Sequence, residues 1–438
     1  MQRSTAAGDV AVIGGGWAGL AAAVTLAEAG IHVTVFESAQ SLGGRARRVE
    51  LDGRAFDNGQ HLLLGAYRTT LALVDQVHPA GGAHRLYARS PLYLAGPGRF
   101  RLRAPRLPAP FHTLAGLLGA RDCTLAERFS VAGAFVRWKR SGWRAPDAMT
   151  VQRLLTDQPP RMIARLWTPL CLAALNTPPA SASAQVFLNV LRDALAAGSA
   201  DSDLIIPNAD LSTLFPDPAA RYVQARGGSV RPSTRVHALY LRDAVAVLEL
   251  AGTRQEFRDV IVATAPWQAV GLLAKIPFAT TLVAQLRRYD YQPITTVYLR
   301  YAHAVPVPFA MLQLGGGPGQ WLFDRGGATK GESLLAVVIS ADGPHRRLVP
   351  AALVAALAGQ LRDNLPSLPA GAAPIWSRIV TERRATHAST PRRAHPAAAH
   401  IGSSLYLAGD HTDPDYPATL EAAARSGVNA ARALLQRR

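Results

Sequence analysis

The pattern of apolar positions opens on a short β-branched run, Val10-Ala11-Val12-Ile13, of the kind that fills a strand buried on both faces of a parallel sheet. Glycines follow at positions 14, 15, 16 and 19. An alanine-rich stretch from Leu20 to Ala29 then predicts a helix, with Gly30 as its cap. A second strand is predicted at Ile31–Phe36, so the chain begins as strand, glycine turn, helix, strand. The uncharged run from Val10 to Ala27 would be long enough to span a bilayer, but its glycines break it and the βαβ reading explains it better. Further strands are expected at Val260–Thr264, Thr295–Leu299, Leu334–Ile339 and Leu405–Leu407, and a helix around Ala351–Leu361. The stretch 86–215 reads as mainly helical after a basic approach containing Pro105, Pro108 and Pro110, and Gly315–Gly317 reads as a hairpin loop.

Composition narrows the class. At 438 residues the chain predicts two domains, and 49% hydrophobic with 18% charged residues excludes a disordered, collagen-like or coiled-coil protein. Cys123 and Cys171 cannot build a disulfide framework and form no C-x-x-C, so a reducing compartment is expected and thiolate zinc is not. The start, Met1 to Asp9, has no apolar stretch for a signal peptide, so a cytoplasmic location is expected. The net charge of +17 is regional, because between residues 84 and 165 fifteen Arg or Lys face only Asp122, Glu127, Asp147 and Asp157. Apolar residues alternate with those charges, as in Phe100–Leu107 and Phe135–Arg140, a combination that suits peripheral contact with an anionic membrane. A solvated arginine-rich face is the competing reading. No nucleic-acid-binding signature accompanies the charge, so nucleic acid is not an expected partner.

The glycine turn carries the first chemistry. Gly14 allows the tight turn, Gly16 lets backbone approach a pyrophosphate, and Gly19 lets helix and strand pack closely, while the helix start at Trp17 and Ala18 faces the anion. Glu37, at the end of the second strand, stands where a carboxylate takes the adenosine ribose hydroxyls. Ser41-Leu42-Gly43-Gly44-Arg45 continues directly, with two glycines for backbone approach and an arginine for phosphate. In this context the motif resembles the second flavin motif of the FAD-dependent amine oxidase and phytoene desaturase superfamily.

Asp57-Asn58-Gly59-Gln60-His61-Leu62-Leu63-Leu64-Gly65-Ala66-Tyr67 closely resembles a segment of the hydroxysqualene dehydroxylases, also called squalene-associated FAD-dependent desaturases. Trp167–Thr177, Leu204–Pro207 and Asp210-Leu211-Ser212 are similar to the same family's middle blocks, so the resemblance spans nearly the whole chain. It implies an α/β fold: a discontinuous Rossmann-like FAD-binding domain (1–85, 216–285 and 389–438) with an inserted α+β substrate-binding domain (86–215 and 286–388). It implies that Gly59, Gln60 and His61 lie near the flavin, that Val236 contacts the adenine end, and that Gly409 and Asp410 meet the ribityl and pyrophosphate part. Ala418, Thr419 and Leu420 would form the helix start under the ring. The chain departs from the family pattern at His411, Asp413–Asp415 and Ala422. No cysteine lies in this last motif, so FAD is expected to be non-covalent.

The implied reaction is reductive removal of the hydroxyl of hydroxysqualene to give squalene in hopanoid biosynthesis, with reduced flavin as hydride donor. The implied partners are a lipophilic isoprenoid substrate and other enzymes of squalene synthesis. His61, Asp415 and Tyr67 are candidates for the acid that protonates the departing hydroxyl, against structural roles for each. His387, His395 and His400 lack metal spacing, and no metal is expected. Trp267 reads as a core tryptophan rather than a flavin neighbour. The alternatives are a phytoene-type carotenoid desaturase, an amine oxidase, and a non-catalytic binding module of the Rab GDP-dissociation inhibitor type. The last has degraded flavin motifs, which Gly14, Gly16, Gly19, Glu37 and Arg45 do not fit.

Overall fold

The structure is a computed structural model that describes residues 8–438 except 244, 308, 310, 327–330, 370, 393, 394, 397 and 398. The polar start read above therefore lies outside the described residues up to Ala7.

A mixed sheet is built on β1 (Gly8–Ile13), which pairs in parallel with β2 (Val33–Phe36) on one side and with the strand Thr253–Val262 on the other. Ser229–Arg231 extends the sheet in parallel beyond β2, and Leu405–Leu407 adds in parallel to Thr253–Val262. Its parallel strands thus come from three distant stretches of chain. The segment after Arg226-Gly227-Gly228 is accordingly a parallel strand beside β2 and not one arm of a hairpin.

Helix α1 (Trp17–Glu28) is buried almost all round, from Trp17 through Leu26 and Ala27. Such a helix must be covered on more than one face. One face lies on the sheet and another meets the carboxy-terminal helix Leu420–Leu435. A Cβ on Gly427 would overlap the carbonyl oxygen of Ala18, so small residues set that close approach.

The second sheet is antiparallel, in the order Met311–Gln313, Trp321–Asp324, Ser333–Ser340, Tyr291–Tyr301, Trp376–His387. Alternation along its strands divides two environments. Val297, Leu299, Leu335 and Val337 pack against Leu353, Leu357 and Leu361 of the helix Pro350–Asn364, whereas Ile294, Trp321, Phe323 and Val338 face a cavity. Gly315–Gly317 lie in the turn between the first two of these strands, as expected.

A helical layer packs against the sheets. Helix α2 (Arg68–Val77) is joined to the carboxy-terminal helix by the buried Glu421, which accepts from the Thr69 and Thr70 amides and the Thr70 hydroxyl at 3.1, 2.9 and 2.8 Å. Helices α3 (Phe111–Leu118) and α4 (Leu125–Arg140) follow, and Thr124 with Glu127 forms a capping box at the start of α4. The core of this layer is aromatic. Trp138 and Trp167 meet edge to face at 5.3 Å, and the Trp167 indole donates to Gln158 at 2.9 Å.

Candidate active site

One cavity of about 900 Å³ runs between the two sheets and is lined at one end by the glycine turn and at the other by apolar side chains. At the glycine end the chain folds back on itself. The Gly14 amide donates to Phe36 O at 2.7 Å, the Gly15 amide to Glu37 Oε2 at 2.8 Å, and the Gly43 amide to Gly15 O at 2.8 Å. Gly14 (φ +112°), Gly43 (+103°) and Gly44 (+61°) adopt backbone conformations that favour glycine. A Cβ on Gly19 would overlap the Gly14 carbonyl oxygen, so Gly19 serves packing. Gly16 is different: a Cβ there would meet only Gly44 Cα, at 3.8 Å, and would otherwise enter open cavity.

Trp17 and Ala18 line the same wall at the start of α1, where unpaired backbone amides favour an anion. The Trp17 indole N–H is spent on Ala46 O at 3.0 Å and its ring packs on Phe215 at 4.9 Å, so it clamps the Gly43–Ala46 segment. Glu37 is nearly buried and also accepts from the Ala39 amide at 2.7 Å. The Thr234 amide donates to Glu37 O at 2.7 Å, which lays Thr234–Val236 along the same end of the cavity.

Arg45 lines the cavity, and two hydrogen bonds fix its guanidinium there. Its NH2 donates to Asp410 Oδ1 at 2.7 Å and its NH1 to Ala385 O at 2.8 Å. Burial works to raise the Asp410 carboxyl, but the Arg45 guanidinium, with His411 and His387, outweighs it and holds the group well below the usual carboxylate range. This pair fastens the segment after Leu405–Leu407 to the Gly43–Arg45 turn. Gly409 (φ +149°), whose amide donates to Ser426 Oγ at 2.8 Å, passes beside it.

Gly59 (φ +111°), Gln60 and His61 line the middle of the cavity. The Gln60 amide donates to Thr296 Oγ1 at 3.2 Å and its side-chain Nε2 to His61 O at 2.9 Å, while Oε1 is buried with no partner within the protein. His61 Nδ1 lies 2.8 Å from Gly59 O. That contact assigns the ring proton to Nδ1, and burial lowers the imidazolium below its ordinary range. A neutral ring whose N–H is already given away is a poor proton donor, which argues against His61 as the acid.

Ala418, Thr419 and Leu420 also line the cavity, with the Thr419 hydroxyl capping the carboxy-terminal helix by accepting from Ala422 N at 3.1 Å. Tyr67 lines it too, its phenol raised first by burial and then by the Glu421 charge. Asp415 does not belong with them. It is exposed and absent from the cavity wall, because its backbone is pinned outward: its amide donates to Asp413 Oδ1 at 3.0 Å and its carbonyl accepts from Asn189 Nδ2 at 3.0 Å. Trp267 is also corrected, being only half-buried, lining the cavity and meeting Tyr291 edge to face at 4.9 Å.

The far half is hydrocarbon, with Leu94, Leu170, Phe187, Ile294 and Phe323 among its walls. Sequence reasoning missed its polar exceptions, Asn176, Asp193 and Tyr416. Asn176 sits in a left-handed conformation (φ +46°), donates to Pro293 O and Thr386 Oγ1 at 3.2 and 2.9 Å and accepts from Ala341 N at 2.6 Å, so it joins the helical layer to the sheet. Its place within Trp167–Thr177 was the available signal.

The cradle fits a flavin dinucleotide: a glycine turn at a helix start, open space at Gly16 that a Cβ would fill, and a carboxylate at the second strand end. Comparison with known proteins agrees. The family model for flavin containing amine oxidoreductase matches residues 17–435. The chain is 32% identical to a hydroxysqualene dehydroxylase of Rhodopseudomonas palustris, covering 97% of this chain and 98% of that one. It is 29% identical to one of Sinorhizobium fredii, covering 97% of each. A 15-cis-phytoene desaturase of Synechococcus elongatus is 25% identical over 98% of this chain and 96% of that one. Among solved structures, putrescine oxidase bound to putrescine has a TM-score of 0.72 at 15% identity, and cyclohexylamine oxidase from Brevibacterium oxydans 0.72 at 17%, each covering 98% of this chain and 99% of the other. With the family model spanning nearly the whole chain and the glycine cradle in place, the chain belongs to the flavin containing amine oxidoreductase family.

Proposed function

We propose that the protein is an FAD-dependent reductive dehydroxylase that converts hydroxysqualene to squalene on the route to hopanoids. The observation that carries this reading is the full-length similarity to proteins named hydroxysqualene dehydroxylase, and the hydrocarbon half of the cavity supports it. The 25% identity to a 15-cis-phytoene desaturase makes carotenoid desaturation the second reading.

FAD, when bound and reduced, supplies the hydride equivalent that replaces the hydroxyl. The chain's residues bind and orient. Gly14, Gly16 and the start of α1 take the pyrophosphate, Glu37 and Val236 the adenosine, and Gly43, Gly44, Gly59, Gln60, Gly409, Asp410 and 418–420 the flavin half. Leu170, Phe187 and Phe323 exclude water from the reacting carbon, which prevents capture of an allylic cation and strengthens every charge interaction there. The division into a flavin-binding part (1–85, 216–285, 389–438) and a substrate-binding part (86–215, 286–388) belongs to the same proposal.

The test is anaerobic. The flavin is reduced, hydroxysqualene is added, and flavin reoxidation is followed with squalene by mass spectrometry. Stoichiometric squalene is expected; a yellow protein inert to hydroxysqualene overturns the reading and directs attention to carotenoid precursors.

The substrate of such an enzyme resides in lipid, and α3 and α4 are the elements suited to meet it. No helix among the described residues is long and apolar enough to cross a membrane. Phe111, Leu114 and Leu118 lie on one face of α3, Leu125 and Phe129 on one face of α4, and all five are exposed, with Phe129 at 65%. Arg103, Arg106 and Arg121 are exposed beside them. Apolar side chains with flanking arginines suit the interface of an anionic bilayer. Phe111→Ser combined with Phe129→Ser is expected to reduce co-sedimentation with phosphatidylglycerol vesicles at unchanged flavin content; undiminished binding would place the contact elsewhere.

A further inference from the structure

We propose that the Asp193–Tyr416 pair on the cavity wall is the polar anchor for the substrate's hydroxyl, and so determines the preference for a hydroxylated over an unfunctionalised isoprenoid. The inference rests on the dehydroxylase reading and names residues that the sequence motifs do not.

Both side chains line the cavity, and the Tyr416 hydroxyl donates a hydrogen bond to Asp193 Oδ2. Three features hold them there. The helix Ala184–Leu191 continues as a π turn, Arg192–Ala196. A π turn takes an extra residue per turn and is common at functional positions. Here it brings a carboxylate into a wall otherwise made by Leu191, Ala194 and Leu195. Arg192 then donates to Asp193 Oδ1 at 2.6 Å, giving the carboxylate a charge partner on its own turn.

The loop carrying Tyr416 is held independently. Asp413 Oδ1 accepts from the amides of Asp415 and Tyr416 at 3.0 and 3.2 Å, Asn189 Nδ2 ties Asp415 O to the same helix that bears Asp193, and the Arg425 guanidinium lies 4.6 Å over the Tyr416 ring. This geometry sends Asp415 outward and Tyr416, 6% exposed, inward, two residues before the Ala418–Leu420 helix start.

The pair also has capacity to spare. Asn176 has committed both its amide nitrogen and its oxygen to protein groups. The phenol oxygen of Tyr416, by contrast, donates to Asp193 and keeps a lone pair, and the Asp193 carboxylate offers about four acceptor sites of which Arg192 and Tyr416 occupy three. Arg192 and Tyr416 hold the carboxyl below its ordinary range against the burial that would raise it, so it stands ionised as an acceptor. A hydroxyl placed against it finds partners, while a hydrocarbon leaves the pair's remaining acceptor sites facing apolar surface. A site built to hydrogen-bond a hydroxyl discriminates strongly against the analogue that lacks it.

The test uses oxidised holoenzyme, in which no turnover occurs. Hydroxysqualene and squalene are titrated in the same detergent and the flavin absorbance perturbation gives each Kd. Wild type is expected to prefer hydroxysqualene by about tenfold or more. Tyr416→Phe and, separately, Asp193→Asn are expected to bring the ratio towards one, with the squalene Kd within about twofold of wild type. Two variants on different elements guard against one failing to fold. A wild-type ratio retained in both variants overturns the inference, as does equal weakening of both ligands or the absence of any preference in wild type. Those failures are distinct from failure of the dehydroxylase reading, which is decided by whether the reduced wild-type enzyme forms squalene.

Discussion

Alanine at Gly16 separates the needs of the fold from those of the cofactor. Gly16 has φ −78° and ψ −179°, values open to any L residue. Its added methyl would meet only Gly44 Cα at 3.8 Å, an ordinary contact. The apoprotein should therefore tolerate Gly16→Ala, and the stiffer unfolded chain should even favour folding by about 0.4–1 kcal/mol. The rest of the methyl points into the cavity, where the proposed function puts the pyrophosphate of the cofactor. Crowding a close-packed contact by one methyl typically costs about 1–3 kcal/mol. At about 1.4 kcal/mol per decade that is roughly a tenfold to hundredfold loss of FAD affinity. Deflavinated wild type and variant would be compared by thermal unfolding, then titrated with FAD by quenching of flavin fluorescence. Unchanged FAD affinity would refute the placement of the pyrophosphate against Gly16, and a much lower apoprotein Tm would refute the claim that nothing in the protein opposes the methyl. Gly19→Ala is the control, since its methyl overlaps the Gly14 carbonyl and should impair the apoprotein itself.

Asp57 is buried and accepts from the Leu211 amide at 2.8 Å, and burial pushes its carboxyl up to about 6. An acid whose folded pKa exceeds its unfolded value near 3.9 holds its proton better when folded, so the stability it contributes is present below about pH 4 and is lost as pH rises through 6, about 3 kcal/mol in all. Asp57→Asn keeps an acceptor for Leu211 and should raise Tm relative to wild type at about pH 8, with the gap shrinking towards pH 4; a gap independent of pH would contradict the assignment. Glu37→Ala removes the acceptor of the Gly15 and Ala39 amides as well as the proposed ribose ligand, so both flavin content and apoprotein Tm should fall, whereas Glu37→Gln should recover more Tm than flavin. Equal recovery of both would mean that Glu37 acts on the flavin only through the fold.

The sequence by itself determined the elements whose causes are local. A β-branched run reads as a strand, glycines at 14, 16 and 19 permit one turn and one close approach, and the apolar runs at 295–299 and 334–339 read as strands before either neighbour is known. Tertiary structure alone decided what depends on groups far apart in the chain. That Arg45 is held by Asp410, 365 residues away, appears only in the fold. Asp415 and Tyr416 are adjacent, and which of them faces the cavity is settled by hydrogen bonds that Asp413 Oδ1 accepts and Asn189 Nδ2 donates. Asp193 and Tyr416 lie 223 residues apart, and a π turn, which leaves no periodic trace in the sequence, brings the carboxylate to the phenol. Backbone conformation is dictated by neighbouring residues, and strands and turns can be read from them; hydrogen bonds between side chains require both partners in place, and only the folded chain supplies both.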